Sequence, residues 1–245
     1  MKLYLHTAPK ILQQYRAVYK SAINDVKSLV STETSPKHKK VALLFINSYL
    51  GTSMCLDDGP ANDGILTYNK LKELGYTPYL YFDVTTSQFR EIFKNFISAN
   101  LDRMVMYYSG HGSRTSDRNK DEADGMDECL VFRNGTVVDD DIADMVKRYN
   151  NCKKLTLVAD CCHSGTIFDI PSTNPNVTTF SAARDTEYAA QVTADHKECG
   201  IFTYYMWKEY PSSNNKLSTL SALVNKRIWW ANHQCTYNHD DESLF

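Results

Sequence analysis

A histidine and a cysteine follow two apolar segments that each have the composition of a buried strand. His111 stands in YYSGHG after residues 103–108, and Cys162, 51 positions later, stands in DCCHSG after residues 155–159. Glycine and small polar residues close both segments, as they do where a strand turns into a loop. Ligands of open α/β sheets bind at the carboxyl ends of the strands. The pattern therefore predicts a histidine base and a cysteine nucleophile at one rim of a sheet.

The alternation of side chains along a strand predicts which residues share this rim. Residues two apart point to the same face of a sheet. Ser109 is therefore expected on the face of His111, and Asp160 on the face of Cys162. Cys161 is expected to point the other way, into a helix layer, as a small buried apolar residue.

These residue types suit acyl transfer. His111 can take the proton of the Cys162 thiol or hold the thiolate as an ion pair, and the sulfur can then attack a carbonyl. The N–H groups of Gly112 and Cys162 are the predicted donors to the oxyanion. His163 is a competing base, but its side chain is expected on the opposite face, in a packing or hydrogen-bonding role. A zinc site of His111, Cys129, Cys162 and His163 is an alternative that lacks C-x2-C spacing.

Composition narrows the function classes. The chain has 245 residues, 42% hydrophobic, with a formal net charge of −2. This charge predicts no general attraction to nucleic acid or to anionic membranes. We find no signal-peptide pattern at the N-terminus and no apolar run of 18 residues, so a cytoplasmic location is expected. The seven cysteines are expected to be free thiols.

The rest of the chain alternates strand and helix patterns. Residues 1–40 are predicted to form an N-terminal helix, residues 10–30, and a polar linker. Residues 41–245 are predicted to form one α/β domain with a mostly parallel central sheet and helices on both faces. Its predicted strands are residues 41–46, 79–84, 103–108, 130–132, 136–138, 155–161 and 177–183, and its helices are residues 63–74, 87–99, 139–149, 200–210 and 217–230. Residues 113–127 are predicted to be a long loop.

The two motifs and three further segments resemble the metacaspases, which are caspase-fold cysteine peptidases. The resemblance is closest to type I-like members and, in the acidic segments, to kinetoplastid ones. The residues that carry it are SGHG at 109–112, DCCHSG at 160–165, DGMDE at 124–128, VDDDI at 138–142 and GPAND at 59–63. The resemblance implies a caspase-like three-layer sandwich with a large-subunit-like part, residues 41–170, and a small-subunit-like part, residues 177–245.

The resemblance also implies a pocket for the substrate residue before the scissile bond, P1. Asp63, Ser109 and Asp160 are its implied lining. An acidic pocket selects Arg or Lys. The face assignment of Ser109 and Asp160 agrees with this role. Alternatively, Asp63 interacts only with the dipole of its own helix, because it stands at the N-terminal, positive end of that helix.

Four aspartates match the calcium ligands of the family: Asp127, Asp139, Asp140 and Asp169. Clustered carboxylates repel one another unless a cation neutralises them, and calcium takes oxygen ligands of this kind. The resemblance therefore implies a calcium ion as cofactor. A solvated acidic loop is the alternative interpretation.

The sequence thus predicts a calcium-activated endopeptidase that cleaves protein or peptide substrates after Arg or Lys. It is expected to be a monomer without nucleic acid or membrane partners. Three alternatives remain: a catalytically silent caspase-fold binding protein, a related peptidase with another P1 preference, and a metal- or ligand-binding α/β protein.

Three features of the sequence leave questions about this assignment. Pro60 stands where the family usually has Cys, and Glu187 where Gln is common. Residues 1–40 are interpreted either as a regulatory segment or as a helix that only covers a sheet edge. If this segment is removed by self-cleavage, Lys37, Lys39 and Lys40 are the candidate sites.

Overall fold

The computed structural model describes residues 22–117, 125–168, 170–241 and 243–245. Its strands are β1 (Lys40–Ile46), β2 (Thr77–Phe82), β3 (Arg103–Ser109), β4 (Gly112–Ser116), β5 (Met126–Phe132), β6 (Gly135–Val138), β7 (Leu155–Asp160), β8 (Val177–Ser181), β9 (Gln191–Ala194), β10 (Lys197–Gly200) and β11 (Thr236–Tyr237). Its helices are α1, described over residues 22–28, α2 (Gly59–Glu73), α3 (Thr86–Ile97), α4 (Asp139–Tyr149), α5 (Ile201–Glu209) and α6 (Leu217–Ile228).

Six strands form the central sheet in the order β11-β8-β7-β3-β1-β2. All neighbouring strands run parallel except β11, which pairs antiparallel with β8. The inner strands carry apolar residues on both faces because helices cover both faces of the sheet. β1 is an example, since its six residues from Val41 to Ile46 are fully buried.

Helices pack on both faces of this sheet. Val41, Leu43 and Phe45 of β1 face a core built with α3 and α4. Ala42, Leu44 and Ile46 of the same strand face a second core, to which α1, α2, α5 and α6 contribute. This arrangement confirms the predicted α/β sandwich of three layers with a mostly parallel sheet.

The helices begin where the sequence supplies end signals. Thr85 caps α3 with a capping box, in which its side chain accepts the Gln88 N–H and the Gln88 side chain accepts the Thr85 N–H. Three consecutive aspartates occupy the first turn of α4. The partial positive charge at a helix N-terminus favours carboxylates there.

Several predicted boundaries were wrong. Residues 112–116 form β4, which pairs with β5, although residues 113–127 were predicted to be a loop. The β9–β10 hairpin and β11 were not predicted. These strands are short and polar, and only their partners favour the extended conformation. The pairing of β5 with β6 confirms the two short strands predicted at residues 130–132 and 136–138.

The described part of the N-terminal segment lies along an edge of the sheet. β2 is the outermost strand, and Val30 forms a parallel bridge with Leu80. The Ser31 N–H donates to the Leu80 carbonyl at 2.8 Å, and the Ser31 hydroxyl accepts the Leu80 N–H. These contacts cover an edge that would otherwise expose unpaired backbone groups. Residues 10–21 of the predicted helix lie outside the described residues.

The three candidate cleavage sites differ in how they are held. Lys40 is the first residue of β1, and the Lys39 carbonyl accepts the N–H groups of Asp102 and Arg103. Lys37 precedes this network and is exposed.

Within the described residues, we find no helix of the length and apolarity that a membrane span requires.

Candidate active site

The sheet register brings the two motifs together. β3 and β7 are parallel neighbours, and Ser109 lies opposite Asp160 at their carboxyl ends. A methyl group on Gly112 would collide with the Cys162 carbonyl oxygen and lie 3.1 Å from the Cys161 sulfur. Only glycine lets the main chain after His111 pack this closely against the main chain at Cys162.

The imidazole of His111 has one nitrogen committed to the backbone. Its Nε2 lies 2.8 Å from the carbonyl oxygen of Met54. A carbonyl can only accept, so Nε2 carries the proton of this hydrogen bond. The neutral ring then has its lone pair on Nδ1, which is free to take a proton from a thiol. Met54 was not singled out by the sequence, because a backbone acceptor has no residue-type signature.

The two adjacent cysteines differ in environment. Cys162 is half-buried, and its sulfur lies 3.9 Å from the Ala189 carbonyl oxygen. Burial raises the pKa of the Cys162 thiol above its usual range. Cys161 is 2% exposed and packs in the core with α3 and α4. The structure therefore places Cys161 in the helix layer expected from strand alternation.

His163 has partners of its own. Its Nδ1 lies 2.5 Å from the Asp185 carbonyl oxygen, and its N–H donates to the Glu187 carbonyl. Its ring meets Tyr188 edge to face, with ring centroids 4.8 Å apart. These contacts fit the packing and hydrogen-bonding role that the sequence assigned to His163.

The three residues expected to line a P1 pocket come together next to the carboxyl ends of β3 and β7. The Ser109 hydroxyl donates to Asp63 at 3.1 Å, and the Gly200 N–H donates to the same carboxylate at 2.9 Å. Asp160 accepts the N–H and the hydroxyl of Thr203, at 3.1 and 2.6 Å, in the first turn of α5. Asp63 therefore accepts a hydrogen bond from the β9–β10 hairpin and does not interact only with its own helix.

This acidic pair is closed. Asp63 and Asp160 are 1% and 6% exposed, and a methyl group on Gly200 would collide with Asp160 and lie 3.0 Å from Asp63. Burial and the nearby charge of Asp160 raise the pKa of Asp63 well above its usual range. Burial likewise raises the pKa of Asp160. A cationic side chain can reach these carboxyl groups only if the chain around Gly200 moves.

Three of the four aspartates assigned to calcium lie at one edge of the small β4–β5–β6 sheet. Cys129 of β5 pairs with Val138, the last residue of β6, so Asp127 of β5 lies near Asp139 and Asp140, the first residues of α4. Asp139 accepts the N–H groups of Glu128 and Asp140, at 3.0 and 2.8 Å. Asp169 is outside the described residues. Among those described, no three His, Cys, Asp or Glu side chains are arranged as a metal site, which also applies to the zinc alternative.

The chemistry of these carboxylates suits a hard cation. Burial raises the pKa of Asp139 to about 7, and the charges of Glu128 and Asp127 add to the shift. A divalent ion would remove this repulsion, and carboxylate oxygen is the ligand that calcium prefers.

Glu128 is a residue that the sequence analysis did not assign. Its carboxylate is 2% exposed and pairs with Arg114 at 3.2 Å. It also accepts a hydrogen bond, at 2.5 Å, from the hydroxyl of Thr166, which lies four residues after Cys162. Its place in the acidic DGMDE segment was the available signal, but the sequence analysis gave it no role.

Comparison with known proteins shows which family part of this chain resembles. Residues 83–171 match the model of the metacaspase, peptidase C14 domain. Metacaspase-1 of Candida glabrata is 34% identical over 155 residues, which are 55% of this chain and 39% of that protein. Metacaspase-1 of Arabidopsis thaliana is 45% identical over 75 residues, 29% of this chain and 20% of that protein.

The resemblance to the metacaspases is confirmed. Solved structures agree on the fold. Caspase-1 of Spodoptera frugiperda matches with a TM-score of 0.59 at 12% identity, covering 84% of this chain and 88% of its own. A Geobacter sulfurreducens protein matches with a TM-score of 0.65 at 16% identity, covering 81% and 92%. The chain spans well under half the length of the two metacaspases named above.

The two departures from the metacaspase pattern are accommodated locally. Pro60 stands in the first turn of α2, where its missing N–H would have no helical partner. The Glu187 carboxylate accepts the N–H groups of Arg184 and Gln234, at 3.0 and 2.8 Å. It thereby ties the segment beside the nucleophile to the chain after α6.

Proposed function

We propose that the chain is a cysteine endopeptidase with Cys162 as nucleophile and His111 as general base. The observation that carries this proposal is the packing of Gly112 against Cys162 at the paired ends of β3 and β7. His111 Nδ1 takes the thiol proton while the sulfur attacks the scissile carbonyl carbon, and the carbonyl electron pair moves onto oxygen. The N–H groups of Gly112 and Cys162 are the proposed donors to that oxygen.

The second half of the reaction follows from the same groups. The imidazolium of His111 gives its proton to the leaving amine, the C–N bond breaks and a thioester remains on Cys162. Water, deprotonated by His111, then hydrolyses the thioester and restores the thiol. Since burial raises the pKa of Cys162, the resting sulfur is a thiol, and attack depends on proton removal by the base.

We assign Arg or Lys as the P1 residue. Burial raises the pKa values of both carboxyl groups, so each holds a proton more tightly than an exposed carboxyl group does. A guanidinium or ammonium group that enters the pocket replaces this proton and neutralises the pair. The Ser109 hydroxyl stands beside Asp63 as a further polar contact.

Calcium is proposed as the activator. Asp127, Asp139, Asp140 and Asp169 would hold the ion, which supplies positive charge to a cluster of carboxylates. The described contacts join this edge to the nucleophile: Asp139 accepts the Glu128 N–H, and Glu128 accepts the Thr166 hydroxyl. Ordering at one end of this chain of contacts would favour an ordered nucleophile loop at the other, as expected for a ligand that binds one of two states.

Fluorogenic peptides ending in Arg or Asp test the activity and its specificity, with calcium or with chelator. We expect cleavage after Arg, dependence on calcium, no activity in Cys162→Ala and near-parent activity in Cys161→Ala. Equal cleavage after Arg and Asp would disprove the pocket assignment, and full activity in chelator would disprove the switch. An inert parent chain in every condition would favour the catalytically silent alternative.

Isothermal titration of calcium into Cys162→Ala tests the metal site without self-cleavage. We expect binding that is lost in the Asp139→Ala, Asp140→Ala double variant of that protein. Ser87→Ala, a change at an exposed residue of α3, serves as the control. Undiminished binding by the double variant would place the calcium site elsewhere.

A further inference from the structure

Tyr49 contacts His111 in two ways, and neither contact has a role in the mechanism above. Its hydroxyl accepts the His111 N–H at 2.8 Å. Its ring lies against the imidazole, with centroids 4.9 Å apart and a tilt of 32°. The side chain is fully buried, and Tyr49 lies three residues after the end of β1.

The Tyr49 hydroxyl is itself held by other groups. It donates to the Val131 carbonyl at 2.8 Å and lies 3.1 Å from the Tyr108 hydroxyl. The Tyr108 hydroxyl lies 2.8 Å from the His111 carbonyl oxygen and 2.5 Å from the Val131 carbonyl oxygen, and it can donate its proton to either. The two tyrosine hydroxyls therefore contact both backbone groups of His111. A methyl group on Gly110 would lie 2.7 Å from the Tyr49 oxygen, so glycine is needed for this approach.

The Tyr49 backbone has an unusual conformation. Its φ angle is +53°, a left-handed value that bulky residues rarely adopt. The Asp83 carboxylate stabilises it by accepting three consecutive N–H groups, from Ser48, Tyr49 and Leu50, at 2.8, 2.7 and 3.1 Å. Such strain persists where the surrounding contacts determine it, and it is frequent at functional sites.

We propose that Tyr49 is a positioning residue for His111, held in place by Asp83. The hydrogen bond from its hydroxyl fixes the position of the His111 main chain. In this position the imidazole Nε2 of His111 reaches the Met54 carbonyl, and Nδ1 remains available to the thiol. Its ring supports the imidazole and favours the imidazolium that forms when Cys162 loses its proton, since cations are attracted to aromatic faces. This inference rests on the proposed His111–Cys162 dyad.

The rate at which iodoacetamide alkylates Cys162, followed by mass spectrometry from pH 5 to 9, tests this inference without any peptide substrate. In the parent, His111 should make the rate at low pH higher than in His111→Ala. We expect Tyr49→Phe, which keeps the ring, to lose about tenfold at pH 6, and Tyr49→Leu to approach His111→Ala, because small displacements cost large factors in rate. Peptide hydrolysis should show the loss in kcat with KM unchanged.

Tyr81→Phe is the matched control, since Tyr81 is also buried and its hydroxyl donates to a backbone carbonyl, that of Glu33. Its profile should equal the parent's. If Tyr49→Phe melts below the assay temperature, Asp83→Asn provides the test with Tyr49 intact and should shift the profile in the same direction.

The outcomes separate the two proposals. If His111→Ala leaves the parent profile unchanged, the dyad is absent and the proposed function fails together with this inference. If His111→Ala changes the profile but Tyr49→Phe and Asp83→Asn both match the parent, the dyad stands and the positioning role of Tyr49 is wrong.

Discussion

The histidine side and the acidic side of the candidate site are built in different ways. Around His111, backbone groups and two tyrosine hydroxyls make the contacts, and none of them needs a charge. Around Asp63 and Asp160, two carboxyl groups meet in a buried space that Gly200 closes. The first arrangement is complete without a ligand, whereas the second is unfavourable for the charged state that would bind a cation.

This difference indicates where regulation of the site can act. Neutral hydrogen bonds between buried groups change little with pH or ionic strength. Buried carboxyl groups respond strongly, because their ionised forms are costly unless a cation is near. The acidic side is therefore the part on which a bound cation and pH should have the larger effect, and the predictions below probe each side in turn.

The largest effect is expected from Gly112→Ala on the histidine side. The added methyl group collides with the Cys162 carbonyl, so His111 and Cys162 must separate. Peptide hydrolysis should fall at least a hundredfold, and the free energy of unfolding by about 1–3 kcal/mol, which is the usual cost of overpacking. Measured kcat/KM and urea denaturation provide the two values.

Gly51→Ala is the control for this change. Gly51 has a φ angle of +77° with no atom within 4 Å of the added methyl group. It should lose about 1–2 kcal/mol of stability from backbone strain alone and keep its kcat. Parent-level hydrolysis by Gly112→Ala would show that the close approach at Cys162 is not required.

On the acidic side, Asp160→Asn should weaken cleavage after Arg. Losing one partner of a buried cation costs about 2–5 kcal/mol, or roughly 30-fold to several thousandfold in kcat/KM. The amide oxygen of Asn can still accept hydrogen bonds from Thr203, so the first turn of α5 should persist. Kinetics with matched Arg and norleucine peptides should show the loss only for Arg.

A second buried aspartate tests whether this loss is specific. Asp241 is as buried as Asp160 and pairs with Lys154 outside the site. Asp241→Asn should lower stability and leave the preference for Arg over norleucine unchanged. A similar loss of preference in both variants would argue for a general effect on folding.

Much of this comparison could be predicted from the sequence, but not all of it. The apolar runs and glycine-ended motifs predicted adjacent strands, and strand alternation predicted the separation of Cys161 from its neighbour. These features are local, and short-range geometry determines them. The closure of the acidic pair depends on Gly200, which lies 137 positions from Asp63 in a hairpin of polar strands.

The contacts of Tyr49, Met54 and Asp83 also escaped prediction. Each uses a backbone group or a left-handed conformation that residue type alone does not indicate. The calcium assignment differs again, since its motif was visible but Asp169 lies outside the described residues. Residue types therefore indicated the candidate reacting groups, whereas the contacts that support them required coordinates.

A smaller effect is expected from pH at the carboxylate edge that includes Asp139. Its pKa of about 7 exceeds the value of about 3.9 in an unfolded chain, so the folded state binds the proton more tightly. Stability from this group is present below about pH 4 and is lost as pH rises through 7. The contribution to the slope is at most about 1.4 kcal/mol per pH unit. Urea denaturation in chelator from pH 4 to 8 should show this fall.

Asp139→Asn should remove that part of the slope, and Asp144→Asn, an exposed change on the same helix, should not. Calcium bound to the carboxylate should oppose the fall, so its stabilising effect should be larger at pH 8 than at pH 6. Identical slopes in the parent and Asp139→Asn would rule out a buried, proton-binding Asp139.

The smallest effect is expected from Glu187→Gln, which restores the residue common in the family. One carboxylate oxygen of Glu187 accepts the N–H groups of Arg184 and Gln234, and the amide oxygen of Gln can accept the same pair. The ion pair with the exposed Arg184 side chain is long, at 3.8 Å, and contributes little. The free energy of unfolding should therefore change by less than about 1 kcal/mol, as measured by urea denaturation. Glu187→Leu removes the acceptor, leaves both N–H groups unpaired and should cost about 1–3 kcal/mol. The loop after Cys162 should persist in both variants, because His163 is held by the backbone carbonyl of Glu187. If Glu187→Gln lost as much free energy of unfolding as Glu187→Leu, the charge of Glu187, and not its role as acceptor, would hold this segment.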